Sequence, residues 1–150
     1  MPIIRPEDIP YAAPTSKIRA FLSSTVQSIT ASTWEMIELD GETHDVDEEF
    51  ASYKFTAKTA GYYLIIGKVY FDGIADTAPV LVGIRINGNV DDYTYTTQGT
   101  TADACPCVAC VRYLSVNDYV ELWGYHADPS AASAVNNEDV TALSCTLLPS

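Results

Sequence analysis

Four cysteines are the residues of this chain whose side chains bind metals most readily. Cys105, Cys107 and Cys110 lie close together, and Cys145 is far downstream. Four thiolates could form a tetrahedral zinc site, but zinc-binding pairs usually have about two to four residues between them, on knuckles. Cys110 instead falls in a predicted strand, whose alternation puts Cys107 and Cys110 on opposite faces. We predict Cys110 and Cys145 as core residues; free thiols, disulfides and metal binding stay open for all four.

Residues 40–49 contain six carboxylates and form the most acidic segment of the chain. Hard oxygen ligands of this kind are those that calcium prefers. Asp40, Asp45 and Asp47 are the candidate calcium ligands, and no other cofactor is predicted. The spacing does not match an EF-hand, and a charged run is also typical of a solvated loop. A plain surface loop is therefore the alternative.

Motifs for nucleophilic, zinc-dependent and nucleotide-dependent catalysis are absent from the sequence. Of the two histidines, His44 lies in the acidic segment and His126 follows a predicted strand close to Asp128. A His–Asp pair becomes a catalytic site only with a nucleophile, and the sequence suggests none. We predict no enzyme, with both histidines on the surface or in turns.

Aromatic side chains are the best candidates for ligand contacts. Tyrosine and tryptophan combine an apolar face with a polar edge, which suits both sugar stacking and protein contacts. Tyr93 and Tyr95 alternate with small polar residues in a run that leads into a loop. We predict these two as ligand-binding residues, ahead of Trp34, Trp123 and the tyrosines at 119 and 125. Core packing is the alternative for all of them.

The elements that must position these residues read as strands. Tyr62–Phe71 alternates with period two and is apolar on both faces, which predicts a strand inside a sandwich or at a subunit contact. Turn residues such as Asp-Gly and Asn-Gly separate the strand-like runs. Ten runs are predicted as strands: Ile18–Leu22, Gln27–Thr30, Thr33–Leu39, Tyr53–Thr56, Tyr62–Phe71, Val80–Asn87, Asp92–Thr96, Val108–Leu114, Tyr119–Tyr125 and Thr141–Leu147.

These runs predict an all-β fold, an antiparallel β-sandwich jelly roll of about ten strands in residues 17–150. Residues 1–16 differ, because prolines at positions 2, 6, 10 and 14 favour an extended arm. The arm is predicted to anchor the domain on a neighbouring protein, with a loose terminus as the alternative. Its anchoring candidates are Ile3, Ile4, Ile9 and Tyr11.

The net charge of −12 excludes nucleic acid as an expected partner, because the acidic field repels phosphates. No run approaches the roughly 18 apolar residues of a membrane span, so no membrane insertion is predicted. The N-terminus lacks the apolar core of a signal peptide. These two features favour a chain that is made and assembled in a bacterial-type cytoplasm over a eukaryotic secreted one.

Several motifs occur in an order that resembles a known family. A strand with a tryptophan is followed by an acidic stretch, a Phe-Thr…Gly-x-Tyr strand start, a strand ending in Asn-Gly and an Asp-x-Val-x-Leu strand. Asn117 stands where the pattern has glycine, and asparagine is the next best residue for a left-handed turn. The segments are Thr33–Leu39, 40–49, Phe55–Tyr63, Val82–Gly88, Leu114–Leu122 and Ala142–Leu148.

This pattern resembles the jelly roll shared by the globular head of the first complement component and the tumour necrosis factor family. The resemblance implies a homotrimer, and some related domains bind calcium near the trimer axis. Similar domains without a collagen stalk occur in phage virions, which implies a head decoration or fibre knob that contacts other virion proteins and a host-surface glycan or protein. A cellular glycan- or protein-binding module similar to complement heads is the alternative.

Overall fold

The computed structural model describes residues 16–74, 77–97, 103–130 and 132–149. Within these ranges the chain forms only β-strands and turns. No helix that could cross a membrane is found among them. The strands are β1 Lys17–Phe21, β2 Gln27–Ile29, β3 Glu35–Met36, β4 Gly41–Asp45, β5 Phe50–Ala51, β6 Lys54–Thr56, β7 Gly61–Lys68, β8 Phe71–Asp72, β9 Pro79–Ile86, β10 Asn89–Thr97, β11 Asp103–Ala104, β12 Cys107–Leu114, β13 Tyr119–His126, β14 Ala132–Ala134 and β15 Ala142–Leu147.

The strands form three antiparallel sheets. The five-stranded sheet has the order β12-β7-β15-β1-β4, and the six-stranded sheet has the order β10-β9-β13-β6-β5 with β3 also paired to β13. A four-stranded sheet, β11-β8-β14-β2, contains shorter strands. This arrangement confirms the predicted antiparallel β-sandwich and jelly roll.

The core lies between the five-stranded and six-stranded sheets. Tyr63 of β7 and Phe55 of β6 meet there, with ring centroids 5.4 Å apart. Gly67 allows the two sheets to approach each other closely, because a Cβ atom at this position would lie 2.5 Å from Leu122 and 3.0 Å from Ile84. Any side chain at Gly67 would therefore push the two sheets apart or force their core residues to repack.

Strand β7 shows the predicted alternation, since Tyr63 and Ile65 are buried while Tyr62 and Ile66 are exposed. The predicted run Tyr62–Phe71 is nevertheless divided between two sheets. β7 ends at Lys68, and β8 begins at Phe71 in the four-stranded sheet. The alternation continues through the break, because Val69 and Phe71 are both buried.

Two asparagines form the turns that their positions predicted. Asn87 and Gly88 have φ angles of 53° and 78° between β9 and β10, the left-handed conformations of a tight hairpin. Asn117 has a φ of 73° before β13 and takes the position of the usual glycine. Asp118 fixes this corner, because its carboxylate accepts hydrogen bonds from the Asn87 side chain and from the Ser115 amide, both at 2.8 Å.

The acidic segment is partly a strand and not the loop that the sequence predicted. β4, Gly41–Asp45, pairs with β1 at the edge of the five-stranded sheet, and its side chains are largely exposed. A polar edge strand has no buried face, so its sequence shows no apolar alternation. The short strands β11 and β14 were missed for a similar reason, since two or three residues contain no recognisable period.

Candidate binding surfaces

The cysteines divide between the core and the surface. Cys110 and Cys145 are buried on either side of Ile65, as predicted, whereas Cys105 and Cys107 are exposed. Burial raises the pKa of the Cys110 and Cys145 thiols, which favours their neutral form. In the described ranges no three His, Cys, Asp or Glu side chains are arranged to hold a metal ion. The four-cysteine zinc arrangement is therefore not formed there.

The candidate calcium ligands have separate structural contacts. Asp45 accepts hydrogen bonds from the amides of Glu49 and Phe50 at 2.8 and 2.9 Å, and so closes the turn after β4. Asp40 instead accepts hydrogen bonds from Ser23 and Ser24. The main-chain carbonyl of Asp47 accepts a hydrogen bond from the Lys58 ammonium group. The structure does not bring the three carboxylates together as one set of ligands in the part of the chain that it describes.

The lowered pKa of Asp40 should make the stability of the folded protein depend on pH. The Ser24 hydroxyl, with Ser23, lowers the pKa of Asp40 from 3.8 to about 2 despite some opposing desolvation. A depressed carboxyl pKa stabilises the folded state above pH 3.8, and this contribution disappears as the pH falls through about 2. We expect NMR titration to place the Asp40 pKa well below 3.8, and Ser24→Ala to raise it. An unchanged Asp40 pKa in Ser24→Ala would contradict this account.

The two histidines differ in their surroundings. His44 is exposed on β4, as predicted. His126 is fully buried at the end of β13, so its prediction as a surface or turn residue is wrong. Its Nε2 lies 2.8 Å from the carbonyl oxygen of Ile29, which joins β13 to β2. His126 lies on the inner face of β13, as strand alternation after the buried Gly124 requires. Its contact with Ile29 is therefore a structural one that connects two sheets.

The predicted arm falls mostly outside the described residues, which begin at Ser16. This includes all four anchoring candidates: Ile3, Ile4, Ile9 and Tyr11. Ser16 was assigned to the arm, but it is fully buried and its hydroxyl donates to Glu49 at 2.7 Å. Its carbonyl accepts a hydrogen bond from the Leu147 amide at 2.9 Å. Ser16 therefore belongs to the sandwich.

The outer side of β7 and β12 in the five-stranded sheet is apolar and exposed. Three pairs of residues from β12 and β7 lie opposite one another on this side. Their exposed fractions reach 60% at Tyr62 and 57% at Tyr113, whose rings meet edge to face with centroids 5.3 Å apart. We call this the apolar face, and it consists of Tyr62, Leu64, Ile66, Ala109, Val111 and Tyr113.

A cavity extends the apolar face at the end of the sheet. Its volume is about 420 Å³, and its lining combines the two rings of Tyr62 and Tyr113 with Leu147, Leu148 and Pro149. Tyr62 also contributes main-chain structure here, because its carbonyl accepts a hydrogen bond from the Leu148 amide. The apolar face is thus continuous with an apolar recess, which gives a partner both a flat and a concave area to contact.

A second exposed surface covers the outer side of the six-stranded sheet. Tyr93 and Tyr95 of β10 lie outward, 55% and 57% exposed, opposite Gly83 and Leu81 of β9. On the far side of β9, the residues opposite Gly83 and Leu81 are Trp123 and Tyr125 of β13. We call this the aromatic surface, and its members are Trp34, Tyr93, Tyr95, Trp123 and Tyr125.

Trp34 completes the aromatic surface from the loop before β3. Its indole lies over Gly83, where a Cβ atom would be 3.1 Å from the ring, and its centroid is 5.5 Å from that of Tyr125. Gly83 thus allows the ring to lie directly against the strand. Pairing of β3 with Trp123 and Gly124 of β13 brings Trp34 to this position.

Charged groups border the aromatic surface. The Arg85 guanidinium lies 3.6 Å from the centroid of the Trp123 ring, and the Trp123 indole N–H donates to Glu121 at 3.1 Å. At the edge of the sheet, Arg112 of β12 forms an ion pair with Asp91 at 2.6 Å and ties β10 to the neighbouring sheet. These contacts fix the strands that carry the rings. Tyr93 and Tyr95 face outward in the structure, while their ligand role stays a prediction.

Comparisons with known proteins identify the fold. No protein-family model and no curated protein sequence matches the chain. Among solved structures it is similar to the PRD1 vertex protein P5, at 13% identity and a TM-score of 0.66 over 92% of this chain and 100% of that one. It is also similar to the globular domain of zebrafish complement 1qA protein, at 11% identity and a TM-score of 0.65 over 89% of this chain and 98% of that one. A third similar structure is Eiger TNF from S. frugiperda, at 8% identity and a TM-score of 0.67 over 91% of this chain and 94% of that one.

The chain therefore has the jelly-roll fold that its motifs resembled. The structure places the two exposed surfaces on different sheets of the sandwich. A subunit contact on one of them would therefore leave the other free.

Proposed function

We propose that this protein is a non-enzymatic structural protein of a phage virion, a trimeric jelly-roll knob displayed on the head or on a fibre. The knob contacts other virion proteins through its N-terminal arm. It contacts a host-surface molecule through the aromatic surface of its six-stranded sheet. In this proposal the protein assembles in the host cytoplasm and remains on the released particle.

The observation that carries the proposal is the apolar face of the five-stranded sheet. Tyr62, Tyr113, Val111 and Ile66 are exposed side by side, although aromatic and aliphatic side chains gain free energy when they leave water. A contiguous apolar patch of this kind marks an interaction site. Packing against copies of the same chain would cover it, and trimers are the typical assembly of this fold.

The virion assignment has two supports. The PRD1 vertex protein P5 matches the described sandwich along its whole chain, although only the fold follows from 13% identity. The sequence also predicts a proline-containing arm before the sandwich, and proline-rich segments are suited to extended contacts with a neighbouring protein. A display protein needs both parts, a stable knob and an anchor.

Particle incorporation tests the proposal. Virions from the phage that carries the gene should contain the full chain, and antibody labelling in electron micrographs should place it on the surface. A truncation that retains residues 16–150 should melt like the full chain but be absent from particles. The matched variant Ile66→Ser keeps the arm but alters the apolar face. Comparing it with the truncation separates loss of the arm from loss of the knob's own contacts. Absence of the full chain from purified particles would contradict the proposal.

A cellular binding module is the second candidate, because the zebrafish complement 1qA domain matches the fold about as well as the vertex protein does. The same experiment distinguishes the two. A cellular module would be found in uninfected cells or their medium, and its arm would be irrelevant to particle assembly.

A further inference from the structure

We infer that the aromatic surface of the six-stranded sheet is a carbohydrate-binding site for neutral, linear oligosaccharides. The inference deepens the host-contact part of the proposed function and rests on it for its biological setting. It commits to one class of ligand, sugar rings that stack on Tyr93 and Tyr95.

The two exposed sheet faces differ in composition, and this difference favours sugar over protein on the aromatic surface. The apolar face contains the aliphatic residues Leu64, Ile66 and Val111, which suit a dry protein contact. The aromatic surface instead combines rings with hydroxyl groups and charges. Sugars present both apolar C–H faces and hydroxyl groups, so they match side chains that have an apolar face and a polar edge.

The geometry of β10 supports a linear ligand. Tyr93 and Tyr95 are two positions apart on the same side of one strand, a backbone spacing of roughly 6.6 Å. Successive sugars of an extended chain can therefore stack on successive tyrosines. Gly83, opposite Tyr93, has no side chain to interrupt the surface, and the Trp34 indole covers it instead.

Polar groups beside the rings can hold the sugar hydroxyls. The Glu121 carboxylate and the Arg85 guanidinium lie in one row of the sheet, opposite each other on β13 and β9. The central carbon of the Arg85 guanidinium lies 3.6 Å from the centroid of the Trp123 ring, which places the charged group directly beside the aromatic side chains. Hydroxyl groups both donate and accept, so a neutral sugar can bond to both charged groups.

Charge restricts the class of ligand. The chain has a net charge of −12, and Asp91, Asp92 and Glu121 lie in or beside the strands of the aromatic surface. An anionic sugar would be repelled by this field, whereas a neutral one would not. The neutral class is therefore the expected one.

Tryptophan fluorescence provides a specific measurement, because both tryptophans of the chain, Trp34 and Trp123, belong to the aromatic surface. We expect at least one of cellohexaose, maltohexaose, mannohexaose and chitohexaose to change the fluorescence in a saturable way. An anionic oligogalacturonate should have no effect. Tyr93→Ala with Tyr95→Ala should weaken the binding by about tenfold or more, because each lost ring removes a stacking contact.

Tyr62→Ala with Tyr113→Ala is the matched control, since these tyrosines have similar exposure but lie on the other sheet. Soluble sugars bind one subunit at a time, so this control should keep the wild-type affinity even if it no longer forms trimers. The single variants Tyr93→Ala and Tyr95→Ala replace the double variant if its circular dichroism shows unfolding. No response to any of the four sugars, or equal binding in the tyrosine variants, would overturn the inference. Loss of particle contacts in the Tyr93, Tyr95 variant without a sugar response would assign the surface to a protein partner instead.

Discussion

Replacing Tyr62 and Tyr113 with glutamate is expected to convert the proposed trimer into a monomer. Both rings are more than half exposed in the single chain, so the substitutions should not disturb the core. In a trimer they would place carboxylates in an apolar contact, where a desolvated charge without a partner is strongly unfavourable. Light scattering at micromolar concentration should report about three chains for the wild type and one for the double variant, with similar melting temperatures.

The control for this experiment is Tyr93→Glu with Tyr95→Glu. It changes the same residue type at similar exposure and adds the same charge, but on the six-stranded sheet. This variant should remain a trimer. A monomeric wild type would refute the trimer, and a trimeric Tyr62, Tyr113 variant would show that subunits associate through another surface. Neither result depends on sugar binding, so the two inferences can fail separately.

Much of the fold could be predicted because its signals are local. The alternation at Tyr63 and Ile65, the Asn87-Gly88 hairpin and the left-handed Asn117 each follow from the residue and its immediate neighbours. Period-two patterns define strands without knowledge of their partners. The order of several such signals was enough to suggest the family of the fold.

The parts that escaped prediction depend on contacts between distant residues. β7 and β8 join different sheets, and this follows from their partners β15 and β14, which lie more than 60 residues further along the chain. His126 is buried because Ile29 reaches it from another sheet. The carboxylates of Asp40 and Asp45 accept hydrogen bonds from serine residues and turn amides, contacts that spacing alone does not reveal.

The candidate surfaces show the same division. The sequence singled out Tyr93 and Tyr95, and their outward direction follows from strand alternation. Their grouping with Trp34 and Trp123 depends on the register of β3 and β9 against β13. The apolar face similarly needs β12 to pair with β7, since neither strand alone forms a patch. Strand pairing thus converts scattered aromatic residues into surfaces.

Glu49 holds the beginning of the sandwich to the turn after β6. It is 3% exposed; one carboxylate oxygen accepts from the Ser16 hydroxyl at 2.7 Å and the other from the Lys58 amide at 2.9 Å. The Ser16 hydroxyl also lies 2.9 Å from that of Tyr63, which donates to the carbonyl of Thr59 at 2.7 Å. The carboxylate thus anchors a buried network that links β1, β6 and β7.

Glu49→Ala is therefore expected to destabilise the protein by about 3 kcal/mol, because it removes the buried carboxylate that accepts from both the Ser16 hydroxyl and the Lys58 amide. For a chain of this size the melting temperature should fall by roughly 10 °C. Glu49→Gln should lose less, since it keeps one carbonyl acceptor. Glu42→Ala, at an exposed position of β4, should change stability by less than about 0.5 kcal/mol. Equal melting temperatures for Glu49→Ala and Glu42→Ala would show that the network contributes nothing, and that the acidic segment is fixed to the sandwich by strand pairing alone.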